Sequence, residues 1–136
     1  MNYGSTGFVE QFGPVRPLSH PAAEDITVEG ILHALADPVR VHIFAQLMCA
    51  DHPLTCSEFL EVPDKVVPKS TLSQHFKVLR DSGLIHSERK GVEMRSVVRE
   101  EDLRARFGPL IEAIVQAHQA QGARTRRRRR RQAAAR

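Results

Sequence analysis

The chain has 136 residues, of which 41% are hydrophobic and 26% charged, and its formal net charge is +4. This length fits one domain with a modest core, which burial in a dimer would help to stabilise. No apolar run approaches the roughly 18 residues of a membrane span, and the N-terminal stretch lacks the apolar segment of a secretory signal. We therefore expect a cytoplasmic protein with no membrane partner, whose 2 cysteines form no structural disulfide.

The charge is unevenly distributed along the chain. Eight of the 20 basic residues are arginines from Arg124 onward, where no acidic residue occurs. The remainder has 12 basic residues against 16 acidic ones, a balance of −4. Between Lys69 and Arg99, however, seven Lys or Arg residues stand against three Asp or Glu. A local basic segment on an acidic body is typical of nucleic-acid binding.

The first part of the chain predicts an arm followed by two helices. Residues 1–23 contain several prolines and glycines without periodicity, which indicates a flexible arm. Apolar residues at helical spacing then predict a first helix from about Glu24 to Ala36. The stretch "PVRVHIFAQLMC" predicts a second helix, in which Asp37 is the N-cap and Pro38 the first helical residue.

The middle of the chain predicts a short helix, a loop, a longer helix and a hairpin. Thr55 and Glu58 have the spacing of a capping box at the start of "CSEFL", and "EVPDKVVPK" is a predicted loop. Residues 69–83, "KSTLSQHFKVLRDSG", carry apolar residues on one helical face and end at a glycine. The stretch "LIHSERKGVEMRSVV" then alternates, which predicts strands near 84–88 and 93–98 joined at "RKGVE".

An apolar stripe from Leu103 to Val115 predicts the last helix. Gly108-Pro109 is expected to divide it, because proline lacks the N–H that continues a helix. Residues 122–136 are predicted to be a disordered, arginine-rich tail. Residues 24–121 are thus the predicted folded domain, between the arm and the tail.

The outer face of the helix over residues 69–83 is polar but carries no evident pairs of opposite charge. At about 100° per residue, Ser70, Gln74 and Lys77 lie opposite its apolar face. Thr71 and Ser73 flank them. A solvated helix would be expected to show Glu/Lys pairs, whereas hydroxyl and amide side chains suit base edges in the major groove. The short helix, turn and polar helix therefore predict a helix-turn-helix whose second helix reads DNA.

Further cations surround this predicted reading face. Arg89 and Lys90 lie at the hairpin tip, where a wing would reach phosphates or the neighbouring minor groove. Lys69 at the start of the helix and Arg95 in the second strand complete the predicted DNA-contacting set. His75 lies beside the apolar stripe, so that either packing or base contact is open to it.

The stretches "HALADPVRVHIFAQL" and "KSTLSQHFKVLRDSGLIHSERKGVEMRSVV" together resemble the ArsR/SmtB family of winged-helix repressors, over about residues 25–120. The resemblance implies a mostly α fold with a small β-hairpin wing and a homodimer joined through its first and last helices. It also implies repression of an operon through an imperfect palindrome in double-stranded DNA, with release by an inducer that is often a metal ion. The family's DNA contacts correspond here to Ser70, Thr71, Ser73 and Gln74, and His75 occupies the family's usual His position.

The effector is less clearly indicated, because metal-sensing members often carry Cys-x-Cys at the third helix and this chain does not. Cys49, Asp51, His52 and Cys56 form a candidate ligand set for a transition metal such as zinc or nickel. The two thiols are alternatively candidates for a reversible disulfide, or are simply small buried side chains in a protein without a cofactor. A second candidate ligand set, across a dimer, consists of Asp102, Glu112 and His118.

The alternatives to a repressor are a non-specific nucleic-acid-binding protein and an enzyme. A non-specific nucleic-acid-binding protein would use the arginine-rich tail for phosphate attraction and the winged helix as a dimer scaffold. An enzyme is not expected, because the sequence has no glycine-rich phosphate loop, nucleophile elbow or paired acid and base.

Overall fold

The computed structural model describes residues 18–59, 61, 62 and 65–136. Most of the predicted flexible arm, residues 1–17, therefore lies outside the described residues. The helices are α1 (Val28–Ala34), α2 (Pro38–Cys49), α3 (Lys69–Asp81) and α4 (Glu100–Ala134), with 3-10 turns at Ala23–Asp25 and Cys56–Phe59. The strands are β1 (Leu54–Thr55), β2 (Glu61–Val62), β3 (Lys65–Val66), β4 (Ile85–Lys90) and β5 (Glu93–Val98).

Side-chain caps fix where α1 and α2 begin. The Thr27 hydroxyl accepts a hydrogen bond from the Gly30 N–H at 3.0 Å, so α1 begins after Thr27 rather than near Glu24 as predicted. Asp37 caps α2 as predicted, since its Oδ1 accepts from the Val39 N–H at 2.8 Å and the Arg40 N–H at 3.3 Å. Burial opposes ionisation of Asp37, but these two N–H donors hold its pKa below the usual value.

The predicted hairpin is confirmed and forms part of a three-stranded antiparallel sheet in the order β1-β5-β4. Lys90 pairs with Glu93 across a two-residue turn, in which Gly91 has φ +64°. Ser87 and Ser96 pair across β4 and β5, and their hydroxyl oxygens lie 2.7 Å apart in the interior. This mutual hydrogen bond satisfies two polar groups that would otherwise be buried without a partner.

The segment between α2 and α3 differs in detail from the prediction. The predicted third helix is a 3-10 turn, Cys56–Phe59, preceded by a glutamate contact of the capping-box kind. In this contact the Thr55 N–H donates to the Glu58 Oε2 at 2.6 Å. The stretch predicted as a loop contains β2 and β3, which pair antiparallel.

The last helix is longer and more continuous than predicted. It runs from Glu100 to Ala134 with Pro109 inside it, so the expected division at Gly108-Pro109 is wrong. Pro109 is exposed, and water can satisfy the carbonyl that its missing N–H leaves unpaired. The expected disordered tail also differs from the structure, in which residues 122–134 are helical. Alanine, arginine and glutamine dominate this segment and are strong helix formers.

The core collects apolar side chains from all four helices and the wing. Its fully buried members include Ile26, Ile31, Ile43, Phe44, Leu72, Phe76, Leu79, Leu84 and Ile85. Phe59 of the 3-10 turn packs on Phe76 of α3, with ring centroids 5.6 Å apart, which joins the two parts of the helix-turn-helix. Across the described residues, no helix has the combination of length and apolarity needed to cross a membrane.

Candidate nucleic-acid interface

Helix α3 is buried on one face and exposed to solvent on the other. Leu72, Phe76 and Leu79 are at most 1% exposed, so the helix cannot rotate without removing them from the core. The opposite side is exposed and contains the predicted reading residues. Its members are Lys69, Ser70, Thr71, Ser73, Gln74 and Lys77. The structure therefore places this part of the predicted set together on one accessible surface, here called the reading face.

Lys77 forms an ion pair that the sequence pattern did not predict. Its Nζ lies 2.7 Å from Asp81 Oδ2, an i,i+4 ion pair, whereas the sequence was expected to give a face without charge pairs. Both side chains are more than half exposed, at 58% and 51%. An exposed pair of this kind contributes little to stability, so a phosphate can compete with Asp81 for the ammonium. The rest of the reading face remains free of acidic side chains in the sequence.

His75 lies at the edge of the reading face and contacts Arg40 of α2. Its Nδ1 is 3.3 Å from Arg40 Nη1. The same guanidinium donates from Nε to the Ala34 carbonyl at 2.6 Å and from Nη2 to the His33 carbonyl at 3.2 Å. Arg40 thus binds the carbonyl end of α1 and links α1 to α3. This positioning residue was missed by the sequence analysis, although it stands in the quoted stretch "HALADPVRVHIFAQL".

The wing carries the other predicted cations. Arg89, Lys90 and Arg95 are all exposed. Lys90 Nζ lies 4.0 Å from Glu88 Oε2, and Arg95 Nη2 lies 3.3 Å from Glu93 Oε2. The wing is therefore only partly cationic, and its contribution to phosphate binding requires competition with exposed, weak ion pairs.

Arg80 joins α3 to the wing from the inner side. It is only 9% exposed, and its Nη1 lies 3.4 Å from the Met94 sulfur. Burial lowers the pKa of Arg80, and the nearby Asp81 carboxylate opposes that shift. An arginine remains protonated in such surroundings, so this side chain is a buried cation that fixes β5 beside α3. No periodic pattern in the sequence indicates this role of Arg80.

The described end of the N-terminal arm packs at the base of the wing. The Ser87 N–H donates to His20 Nε2 at 3.0 Å, and the His20 ring stacks on His86 with centroids 4.3 Å apart. Arg99 Nη1 donates to the Pro21 carbonyl at 2.8 Å. Since β4 is an edge strand, His20 covers one of its unpaired N–H groups.

Protonation of His20 is expected to weaken this attachment. Burial, together with the charges of His86, Arg80 and Arg99, lowers the pKa of His20 from 6.5. The unfolded chain then binds a proton more readily than the folded chain, so this contribution to stability is complete above about pH 6.5 and is lost as the pH falls through the folded value. His20→Ala should lower the unfolding free energy by about 1 kcal/mol near pH 8.

The check on His20 is urea unfolding of both proteins between about pH 8 and pH 5. The destabilisation by His20→Ala should shrink as the pH falls, because the wild type has already lost the hydrogen bond. The exposed His33 supplies a control for the loss of an imidazole, and His33→Ala should cost less than His20→Ala near pH 8. An equal cost of His20→Ala at both ends of the pH range would show that His20 protonation does not control the contact.

The structure does not bring the candidate metal ligands together. Among the described residues, no three His, Cys, Asp or Glu side chains are arranged to hold a metal ion. His52 Nδ1 contacts Asp51 Oδ1 at 2.7 Å, but this pair is 65% and 96% exposed. In the second candidate set, Asp102 instead accepts a hydrogen bond from Arg99 Nε at 2.9 Å. Because that set, with Glu112 and His118, was predicted across a dimer, it stays a prediction.

The two cysteines occupy different surroundings. Both are free thiols; Cys49 is exposed and Cys56 is half-buried against the core. The interpretation of both as buried small side chains is therefore wrong for Cys49. Burial raises the pKa of the Cys56 thiol, which the cations Arg80, Lys69 and Arg89 oppose. A protonated thiol is a poor nucleophile and metal ligand, so Cys56 is not activated in this state.

A family model and solved structures of other proteins are similar to this chain. The family model described as a helix-turn-helix domain matches residues 35–88, which span α2 to the first half of the wing. The crystal structure of an ArsR family transcriptional regulator is 29% identical, with a TM-score of 0.52 over 63% of this chain and 90% of that chain. An ArsR-like transcriptional regulator from Rhodococcus sp. RHA1 is 22% identical, with a TM-score of 0.45 over 74% and 83% of the two chains. No curated protein sequence matches this chain.

Proposed function

We propose that this chain is an ArsR-type winged helix-turn-helix transcriptional regulator, and that it is a repressor that binds a palindromic operator as a homodimer in the cytoplasm. An inducer would release it from the DNA. The observation that carries this proposal is the reading face, an exposed set of hydroxyl, amide and ammonium groups on a helix whose opposite side is fully buried.

The side chains of the reading face match the chemistry of base edges. A glutamine such as Gln74 can form two hydrogen bonds with adenine, and the hydroxyls of Ser70, Thr71 and Ser73 can donate or accept. Pro68 at the N-cap of α3 makes no side-chain capping hydrogen bond. The first N–H groups of α3 are thus suited to a DNA phosphate, with Lys69 beside them.

The wing supplies contacts that carry no sequence information. Arg89, Lys90 and Arg95 would lie along the phosphates flanking the major groove entered by α3. Each phosphate neutralised by such a cation releases counterions, which favours binding to any sequence. Discrimination between operators would thus depend on α3, whereas overall affinity would depend on α3 and the wing together.

A homodimer explains the apolar surface left uncovered on α1. Val28 is 37% exposed and Leu32 is 51% exposed. These residues are four apart and share one face of α1. On α4, Leu110 and Ile114 are half-buried with the same spacing. Pairing of α1 and α4 with their equivalents would cover this surface, and a two-fold dimer would place two copies of α3 about 34 Å apart, one turn of DNA.

Leu32→Glu is expected to convert the dimer into a monomer, because it places a carboxylate in the proposed seam. Sedimentation velocity should show a single species of half the mass, and operator affinity should fall by about 10²-fold or more as the second half-site is lost. His33→Glu adds the same charge to an exposed position of the same helix and should leave the dimer intact. A dimeric Leu32→Glu protein would exclude this seam.

Repression can be tested by run-off transcription from the gene's own upstream promoter. The proposal predicts that added protein lowers the transcript, and that a metal ion or an oxidant restores it if either acts as the inducer. Unchanged or increased transcript with the promoter occupied would contradict repression, while DNA binding itself would stand.

A further inference from the structure

The C-terminal part of α4 carries seven arginines within residues 124–131, interrupted only by Thr125. We propose that this segment, here called the arginine helix, binds in the major groove of double-stranded DNA outside the operator half-sites, by phosphate contacts that add affinity without sequence preference. This inference rests on the proposed function, since both surfaces would engage the same DNA.

The arginine helix extends away from the folded core. Val115 is the last buried residue of α4, and every residue from Arg124 onward is exposed. With a rise of about 1.5 Å per residue, the helix continues for about 28 Å beyond Val115 to Ala134. The arginines from Arg124 to Arg131 occupy about 10 Å of this length, which corresponds to about three base pairs of duplex. An unbroken helix joins them to the domain.

The arginines surround the helix rather than forming one stripe. At about 100° per residue, the largest angular gap between neighbouring arginines is about 100°. A flat acidic protein surface would contact only one side of such a helix. The major groove is about 12 Å wide, which admits an α-helix, and has rows of phosphates on both walls. Cations on every side of a helix therefore match a groove better than a flat surface.

The chemistry of alternative partners is less favourable. The major groove of duplex RNA is too narrow and deep for side chains to read. A second copy of this chain offers three acidic residues at the start of α4, Glu100, Glu101 and Asp102, and two of them have ion-pair partners. Asp102 lies 2.9 Å from Arg99 and Glu100 lies 3.7 Å from Arg104. Three carboxylates within one turn are too few to match seven arginines on all sides of a helix. Double-stranded DNA offers unpaired phosphates at a regular spacing.

Repulsion within the arginine helix gives the proposal a structural readout. Arginines separated by three or four residues are neighbours on a helix, and like charges at these spacings oppose helix formation. Phosphates along both walls of a groove would remove this repulsion. The helical circular dichroism of the chain should therefore persist to a higher temperature when an unrelated DNA duplex is added at low salt.

The test uses the full chain with all six arginines of residues 126–131 changed to glutamine, which retains helix propensity. Binding to an unrelated duplex of about 30 base pairs is measured by anisotropy over a series of salt concentrations. Each lost phosphate contact changes the slope of log K against log salt by about 0.9, so the slope should weaken by about 3 to 5. Arg104→Gln removes one cation from the same helix outside the segment and should change the slope by about 1 or less.

Several outcomes separate this inference from the proposed function. An unchanged salt slope, with preference for the operator retained, would overturn the arginine helix alone. A weakened slope in a protein that never prefers its own upstream DNA would overturn the proposed function alone. Equal changes on duplex RNA or on polyglutamate would overturn the assignment to the DNA major groove, and so would a helical signal that DNA does not protect against heating.

Discussion

Gly83→Ala is expected to lower the free energy of unfolding by about 3 kcal/mol. Gly83 joins α3 to β4 and has φ +86°, a conformation that costs other residues roughly 1–3 kcal/mol. An added Cβ would also lie 2.7 Å from Ile26 Cδ1 and closer still to Ile26 Cγ1. Ile26 is 1% exposed, so its stiff side chain has no space into which to move.

The matched control for this substitution is Gly91→Ala in the wing turn. Gly91 also has a positive φ, +64°, but a Cβ there would meet nothing within 4 Å. Only the conformational cost applies, about 1 kcal/mol. Urea unfolding of the two variants therefore isolates the steric contribution. Equal losses would contradict the close packing of Ile26 on the turn between α3 and the wing.

Gln74→Ala is expected to reduce the preference for the operator over unrelated DNA by about 10- to 100-fold. The amide is the one side chain of the reading face that can form two hydrogen bonds with a single adenine, and such a pair contributes about 1–3 kcal/mol of discrimination. Affinity for unrelated DNA should hardly change, because Gln74 carries no charge. Ser73→Ala should lose less, since it removes one hydroxyl.

Two controls define the Gln74 experiment. Gln116→Ala removes an exposed amide from α4 and should leave the operator preference unchanged. Lys90→Ala should weaken binding to operator and unrelated DNA alike, since the wing contacts phosphates. Should Gln74→Ala bind both DNAs as the wild type does, the reading face has been assigned to the wrong residues.

Helices α2 and α3 and the wing were predictable because each has a signal within a short stretch of its own sequence. Asp37-Pro38 specifies the start of α2 through a side-chain cap and a fixed φ. The spacing of Leu72, Phe76 and Leu79 identifies the buried side of α3 and hence its exposed side. The wing follows from alternation around a glycine turn. These signals operate over a few residues and do not depend on the rest of the fold.

The parts that were missed depend on contacts between distant residues. His20 and Ser87 are 67 positions apart, and Arg40 and His75 are 35 apart, so no local pattern links them. The continuity of α4 was missed for a different reason. Proline and a run of like charge are both unfavourable in helices, yet the exposure of Pro109 and the helix propensity of arginine make their cost tolerable.

Specific recognition of DNA by the reading face is tested most directly by fluorescence anisotropy of the full chain. The probes are its own upstream intergenic DNA and an unrelated duplex of equal length, in reducing buffer at about 0.2 M salt, where non-specific attraction is weak. We predict at least about 10³-fold tighter binding to the upstream DNA. Equal affinity for the two duplexes would contradict a sequence-specific regulator of the adjacent genes.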